Sequence, residues 1–273
     1  GSKIIEKDDI NTNKSTEKIL EQILLRDNMN NAYLKVKRNK GAGGVDKMEI
    51  EELLEHLKTH REGILKSLLE GSYKPYPVKQ VEIPKENGKT RKLGIPTLTD
   101  RVVQQAILQV LSPIYEEQFS NTSYGFRPNR GCHDALKKCQ EYANQGYWYV
   151  IDMDLEKFFD TVNQSMLIEI LSRTIKDSRV ISLIHKFLNA GIMDKGMFIK
   201  SDKGVPQGGP LSPLLANIIL NELDQTLDEW GYLYVRYADD LLIFTKSKRA
   251  AERQYKRASK YIEGKLKLKI NKE

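Results

Sequence analysis

The sequence predicts an α+β fold, and three observations carry that expectation. Strand-like and helical stretches intermingle without the regular strand–helix–strand rhythm of a parallel sheet. Two pairs of strand-like runs flank short turns, the pattern of antiparallel hairpins. Hydrophobic residues make up 40% of the 273 residues, enough for a core in one large domain or two closely joined subdomains.

The elements follow in order. Residues 1–15 are polar and mixed in charge and are expected to form a flexible N-terminus. From about 16 to 36, apolar residues recur at helical spacing: Ile19, Ile23, Leu24, Tyr33 and Val36. The stretch KRNKGAGGVD at 37–46 holds three glycines in four residues, which stops the helix and makes a basic loop. A second helix carries Ile50, Leu53, Leu54 and Leu57, and a third reaches Leu69. Residues 78–83 and 89–95 read as strands around Glu86-Asn87-Gly88. Helical patterns return over 100–117 and from Cys132 to Asn144. The aromatic, β-branched run YWYVIDMDL at 147–155 is a strand. Residues 164–190 read as helical, and GVPQGGPLSP at 204–213 leads into a helix ending near Trp230. A hairpin over 232–246 and a basic helical stretch over 249–269 complete the chain.

Composition excludes several classes. Cys132 and Cys139 match no zinc-site spacing, and two thiols do not make a disulfide framework. No run of 18 apolar residues is present. A reduced, cytoplasmic setting of bacterial type is expected. The formal net charge of +7 favours a polyanionic partner. His56 and His60 have i, i+4 spacing without the glutamate of a metalloprotease, so they read as helix surface. Cys132, His133 and Cys139 read as helix packing.

The chemistry centres on acids. In YVRYADDLLIF at 234–244, Asp239 and Asp240 stand side by side at the tight end of a hairpin. A turn tolerates aspartate, so for this hairpin taken alone an Asx turn is the competing reading. A second acidic strand changes the balance. In VIDMDLEKFFD at 150–160, Asp152 and Asp154 point to one face of a strand. Acids within an apolar strand are costly unless cations pair with them. Two such strands in one sheet bring their carboxylates together, and oxygen ligands of this kind suit Mg²⁺. A pair of Mg²⁺ ions so held can activate a primer 3′-hydroxyl and stabilise a pyrophosphate leaving group.

These residues carry a family resemblance. Tyr237-Ala238-Asp239-Asp240 resembles the YxDD box of reverse transcriptases, and Asp154-Leu155-Glu156-Lys157-Phe158-Phe159-Asp160 resembles their first palm motif. Pro206-Gln207-Gly208-Gly209-Pro210-Leu211-Ser212-Pro213 resembles the palm motif between them, and the order agrees. RNKGAGGVD at 38–46, RKLGIPTLTDRVVQQA at 91–106 and SYGFRPNRGCHDAL at 123–136 are similar to the N-terminal blocks of group II intron-encoded reverse transcriptases, or maturases. The resemblance spans roughly residues 25 to 270. It implies right-hand polymerase fingers and palm, with an antiparallel palm sheet packed with helices and no thumb. Residues 16–145 are then N-terminal extension and fingers, and 146–273 palm, with part of the fingers returning within about 162–205. A chain ending at 273 is expected to be part of a longer protein.

The resemblance also implies roles. Asp154 and Asp239 are the expected metal ligands, with Asp240 beside them and the carbonyl of Leu155 completing a site for two Mg²⁺ ions. Asp152, on the same strand face, is the competing candidate. Phe159 stands where related RNA-templated RNA polymerases carry an aspartate that accepts from the ribose 2′-hydroxyl, so dNTP selection is implied. Asp160 on a strand faces away, and Phe158 reads as core beside the nucleotide site. Lys85 and Arg91 flank the tip of the first hairpin and are expected on the triphosphate, with Lys89 and Lys92 as solvated neighbours. Gln207 and Gly208 are expected near the incoming nucleotide and templating base. Arg38 and Lys40 suit an RNA backbone. For Arg127 a buried ion pair and a template phosphate are both open. The implied partners are intron RNA, an RNA template, a DNA primer and dNTPs. Two function classes follow: an RNA-templated DNA polymerase core, and an RNA-binding splicing cofactor with little turnover. A nucleotide cyclase on a similar palm is a third, disfavoured by Phe159 and the QGGP stretch.

Overall fold

The computed structural model describes residues 18–84, 88 and 90–271. Four helices build the N-terminal layer: α1 (Ile19–Ile23), α2 (Arg26–Arg38), α3 (Leu53–Leu69) and α4 (Leu98–Glu116). The helix expected over 16–36 is therefore two helices. Leu25 takes an extended conformation (φ −53°, ψ 137°) and turns the chain so that α2 lies along α4. The Asn28 side chain fixes that contact by donating to the Ala106 carbonyl at 3.0 Å and accepting from Gln109 Nε2 at 2.7 Å. Residues 53–69 form one helix where two were expected, and Ile50 precedes it.

The first hairpin is as expected. Strands β1 (Val78–Pro84) and β2 (Thr90–Ile95) pair antiparallel with Val81 opposite Leu93. Lys85, Glu86, Asn87 and Lys89 lie outside the described residues. Helix α5 (Cys132–Asn144) falls on its predicted bounds, and β3 (Tyr149–Met153) on the aromatic run. Cys132 and His133 are exposed and Cys139 half-buried, so of these three only Cys139 packs.

Phe158–Thr161 is a single helical turn, α6, entered through Lys157 at φ +46°. The stretch expected as one helix over 164–190 is two, α7 (Gln164–Thr174) and α8 (Ser178–Leu188). Asp177 breaks it. Its carboxylate accepts from the Arg179 backbone N–H at 3.1 Å, capping α8, and from the Leu20 N–H at 3.0 Å, which ties α8 to α1. A hairpin of β4 (Ile192–Asp194) and β5 (Met197–Ile199) follows that periodicity did not predict, because three-residue strands are too short to show alternation. Then come α9 (Ser212–Glu229), β6 (Leu233–Tyr237), β7 (Asp240–Thr245) and α10 (Lys248–Gly264).

Two sheets result. One has the order β2-β1-β4-β5, with β1 and β4 parallel and the other pairs antiparallel. The other is antiparallel in the order β3-β7-β6. One core joins the helical layer to the second sheet: Leu98, Ile107 and Leu111 belong to the same buried cluster as Met153, Leu220, Ile243 and Ile262. Among the described residues no helix is long and apolar enough to cross a membrane.

Asp177 is buried and serves two helices, so its loss strands two backbone donors. Asp177→Ala is expected to lower unfolding free energy by about 1–3 kcal/mol, read from urea denaturation.

Candidate active site

The site begins at the β6–β7 hairpin. Tyr237 pairs with Asp240, so Ala238 and Asp239 form a two-residue turn. Ala238 sits at φ +56°, in the left-handed region that strains a residue with a Cβ. The surroundings impose that conformation. Gly125 lies directly beneath, where a Cβ would collide with the Ala238 backbone nitrogen. The segment around Gly125 runs beside β6: Tyr124 N–H donates to the Arg236 carbonyl and Arg236 N–H to the Thr122 carbonyl, both at 2.9 Å.

Arg236 is the member of this site that the motifs did not reveal. Its side chain is fully buried and forms an ion pair with the fully buried Asp224 of α9. Nε donates to Asp224 Oδ1 at 2.8 Å, Nη2 to Ser123 Oγ at 2.8 Å, and Nη1 to Asn217 Oδ1 at 3.1 Å. Nη1 also donates to the Ala238 carbonyl at 2.8 Å and so grips the acidic turn from below. Asn217 in turn donates to the Gly125 carbonyl at 2.9 Å. A signal was present in the sequence. An arginine between Val235 and Tyr237 in an apolar strand requires a buried anion, and Asp224 interrupts an apolar helix.

The second acidic strand lies against β7. Its register, Asp152 with Leu242 and Met153 with Leu241, continues to set Asp154 beside Asp240. Ile151, Met153 and Leu155 face the core, whereas Asp152 and Asp154 are exposed on the opposite face. The burial penalty expected of these acids is thus avoided. What remains is mutual repulsion. Partial burial first, then the negative charges of Asp239, Asp154 and Asp152, push the Asp240 carboxyl above its usual range. Asp154 ranks ahead of Asp152 in that effect. Asn271 donates to Asp154 Oδ2 at 3.2 Å and holds that carboxylate in place. Leu155 bridges Ile270 through its neighbours' groups, Glu156 N–H to the Lys269 carbonyl and Asn271 N–H to the Asp154 carbonyl, so the Leu155 carbonyl stays out of this pairing.

Among the described residues, no three acidic, histidine or cysteine side chains close into a ready metal cage. Mg²⁺ does not need one, because it binds through one or two carboxylates and completes its shell with water and substrate phosphates. Hard oxygen donors on an open face, with Asp240 held in a surplus of negative charge, fit such an ion.

The remaining candidates divide. Phe158 is 2% exposed and Phe159 7%, packed edge to face at 5.2 Å. Phe158 is buried in the core, which corrects its place at the nucleotide site. Phe159 borders a cavity with Ile192, Lys200, Val205 and Pro206, and its carbonyl accepts from Val205 N–H at 2.6 Å. Asp160, expected on a strand, lies on α6 and is exposed. The Gln207 carbonyl accepts from Gly94 N–H at 2.6 Å. Gly208, at φ +119°, lies so close to the Gly94 carbonyl that a side chain is excluded. The QGG turn is thereby stitched to β2. Arg91 is exposed on that strand, about 10 Å from Gly94 at strand rise. Lys85 lies outside the described residues.

Arg127 is corrected as an RNA contact. Its guanidinium is buried, paired to Glu116 at 2.9 Å, with Nη1 donating to the Ser120 and Ser123 carbonyls at 2.7 and 2.8 Å. No donor face is left for a phosphate. Arg38 and Lys40 are exposed. Their loop is anchored by Arg101, which donates to the Pro96 carbonyl at 3.0 Å and to the Ala42 carbonyl.

Two outcomes follow. Arg236→Met leaves Asp224 buried without a partner and is expected to cost about 3–5 kcal/mol in urea denaturation, while Arg236→Met with Asp224→Leu recovers most of it. A carboxyl raised in the folded chain contributes stability below its unfolded pKa that is lost as pH rises through the folded value. At neutral pH without divalent ions, Asp240→Asn is therefore expected to give a small upward shift in Tm, read by thermal unfolding.

Comparison with known proteins agrees with this geometry. Residues 83–273 match the family model described as reverse transcriptase (RNA-dependent DNA polymerase). Protein YkfC of Escherichia coli is 38% identical over 84% of this chain and 70% of its own length. The group II intron-encoded protein LtrA of Lactococcus lactis is 40% identical over 76% of this chain, which spans 35% of that relative. Among solved structures, a chain of a Cas6-RT-Cas1–Cas2 complex superposes with TM-score 0.55 at 27% identity, covering 90% of this chain and 42% of that one. Apo telomerase from Candida tropicalis shares the fold at TM-score 0.55 and 16% identity, over 71% of this chain and 48% of that one. A strained acidic turn, a second acidic strand in register with it and a family match over residues 83–273 lead to one assignment: the chain belongs to the reverse transcriptase (RNA-dependent DNA polymerase) family and is similar to its group II intron-encoded members.

Proposed function

We propose that the chain is the RNA-directed DNA polymerase core of a group II intron maturase, which extends a DNA primer on an RNA template and binds intron RNA in support of splicing and mobility. The observation that carries this reading is the register of β3 on β7, which sets Asp154 beside Asp240 and the Asp239 turn on one open face. Asp154, Asp239 and Asp240 are the residues to hold divalent ions, with the Leu155 carbonyl. Two bound Mg²⁺ ions would supply activation of the 3′-hydroxyl and stabilisation of the leaving pyrophosphate. The protein's own groups do the positioning. Arg236 and Gly125 fix the turn, and Asn271 orients Asp154. Gln207 and Gly208 present backbone to the nucleotide and base. Arg91, with Lys85, contacts the triphosphate from the hairpin. Phe159 occupies the space a ribose 2′-hydroxyl needs.

Primer extension on an RNA template with dNTPs and Mg²⁺ tests this. Asp239→Ala is expected to lower extension by at least about a hundredfold while RNA affinity stays within error. Extension at the normal rate in that variant rejects the metal assignment. Tight RNA binding without extension in the unsubstituted chain supports the splicing-cofactor reading instead. Phe159→Val is expected to raise rNTP incorporation relative to dNTP. Unchanged sugar selectivity removes Phe159 from that role.

A further inference from the structure

Helix α10 buries Ala258 and Ile262 in the core that also holds Ile151, Met153 and Ile243. It therefore covers the face of the β3-β7-β6 sheet opposite Asp152, Asp154 and Asp240. Its outer side carries Arg249, Arg253, Lys256, Arg257 and Lys260, all exposed. At 3.6 residues per turn these five fall within about 100° of arc, and Arg249 to Lys260 spans about 17 Å. Glu252 and Glu263 stand at the edge of that arc rather than within it. Among the described residues none of the five joins an ion pair, whereas Arg127, Arg173, Arg179 and Arg236 all do. Arg257 is held in place at the edge of the stripe, its guanidinium 3.9 Å from the Trp230 ring centroid.

Five exposed cations in one line, none of them neutralised by an ion pair among the described residues, concentrate positive potential along the outer face of the helix. A nucleic-acid duplex carries about one negative charge per 1.7 Å of axis, so a stripe of this length meets several phosphates. Double-stranded RNA is recognised by shape and backbone, which asks for such a charged ridge and no base readout. We infer that the outer face of α10 is a docking surface for the phosphate backbone of folded, double-stranded RNA, on the back of the sheet and separate from the acidic face, the cleft in which primer and template are proposed to lie. The inference rests on RNA being the partner of this chain. It adds a second place where RNA is held while the cleft works.

The test uses the whole chain and a blunt RNA duplex with no recessed 3′ end. The variant Arg249→Gln, Arg253→Gln, Lys256→Gln, Lys260→Gln alters only exposed side chains, and thermal unfolding checks its fold. Its Kd for the duplex is expected to rise about tenfold or more. The slope of log affinity against log salt should fall by up to about 3.6, near 0.9 for each of the four phosphates that is no longer neutralised. Extension of a saturating primer–template should be unchanged. A charge-retaining variant, Arg249→Lys, Arg253→Lys, Lys256→Arg, Lys260→Arg, should keep duplex affinity. Unchanged duplex binding in the glutamine variant overturns the inference. So does a parallel fall in primer extension, which would place the stripe in the cleft. Capture by anionic phospholipid vesicles without duplex binding overturns it in favour of a membrane surface. A chain that extends no primer yet loses duplex binding on substitution keeps this inference and rejects the polymerase reading.

Discussion

The structure turns on one buried ion pair. Arg236 and Asp224 are both withdrawn from water, which costs several kcal/mol per ion before their attraction and hydrogen bonds are counted. The return is geometric. The same guanidinium that neutralises Asp224 reaches Ser123, Asn217 and the carbonyl of Ala238. One side chain therefore joins helix α9, the Gly125 segment and the hairpin turn. A hydrophobic pair of equal volume could fill the space. It could not hold a left-handed alanine in register with the strand across from it.

The turn needs this support because the carboxylates above it repel one another. Asp239, Asp154 and Asp152 all act on Asp240. Their strands would be more stable apart if charge alone decided. Core burial of Ile151, Met153, Leu241 and Ile243 holds them together. The hydrophobic face of the sheet thus sustains an unfavourable field on its other face, and that field is what a divalent cation relieves. Stability and prospective function are opposed across a single layer of strands.

Much of this was legible in the sequence. The acidic turn, its strand partner, the first hairpin and the α5 bounds all rest on local patterns of residue type and period. What stayed hidden depended on distant partners. Asp177 caps its helix locally, but its burial against α1 depends on Leu20, far away in sequence, which donates to it. Arg127 resolves to an ion pair only once Glu116 is beside it. Phe158 and Phe159 read alike as letters and are both buried, and only the cavity that Phe159 borders tells them apart. The β4–β5 hairpin was missed because strands so short carry almost no periodic signal.

The parallel pairing of β1 with β4 has a consequence for how the chain reaches this state. Val78 meets Ile192 and Lys79 meets Met193. Such non-local closure is entropically expensive and slow to form. During synthesis, the first hairpin emerges long before its neighbour and presents an open strand edge until residues beyond 190 have left the ribosome. An edge of that kind invites pairing with other chains. The charged residues spaced along β1 and β2, Lys79, Glu82, Arg91 and Lys92, then serve a purpose during folding as well as after it, keeping the waiting hairpin apart from its copies.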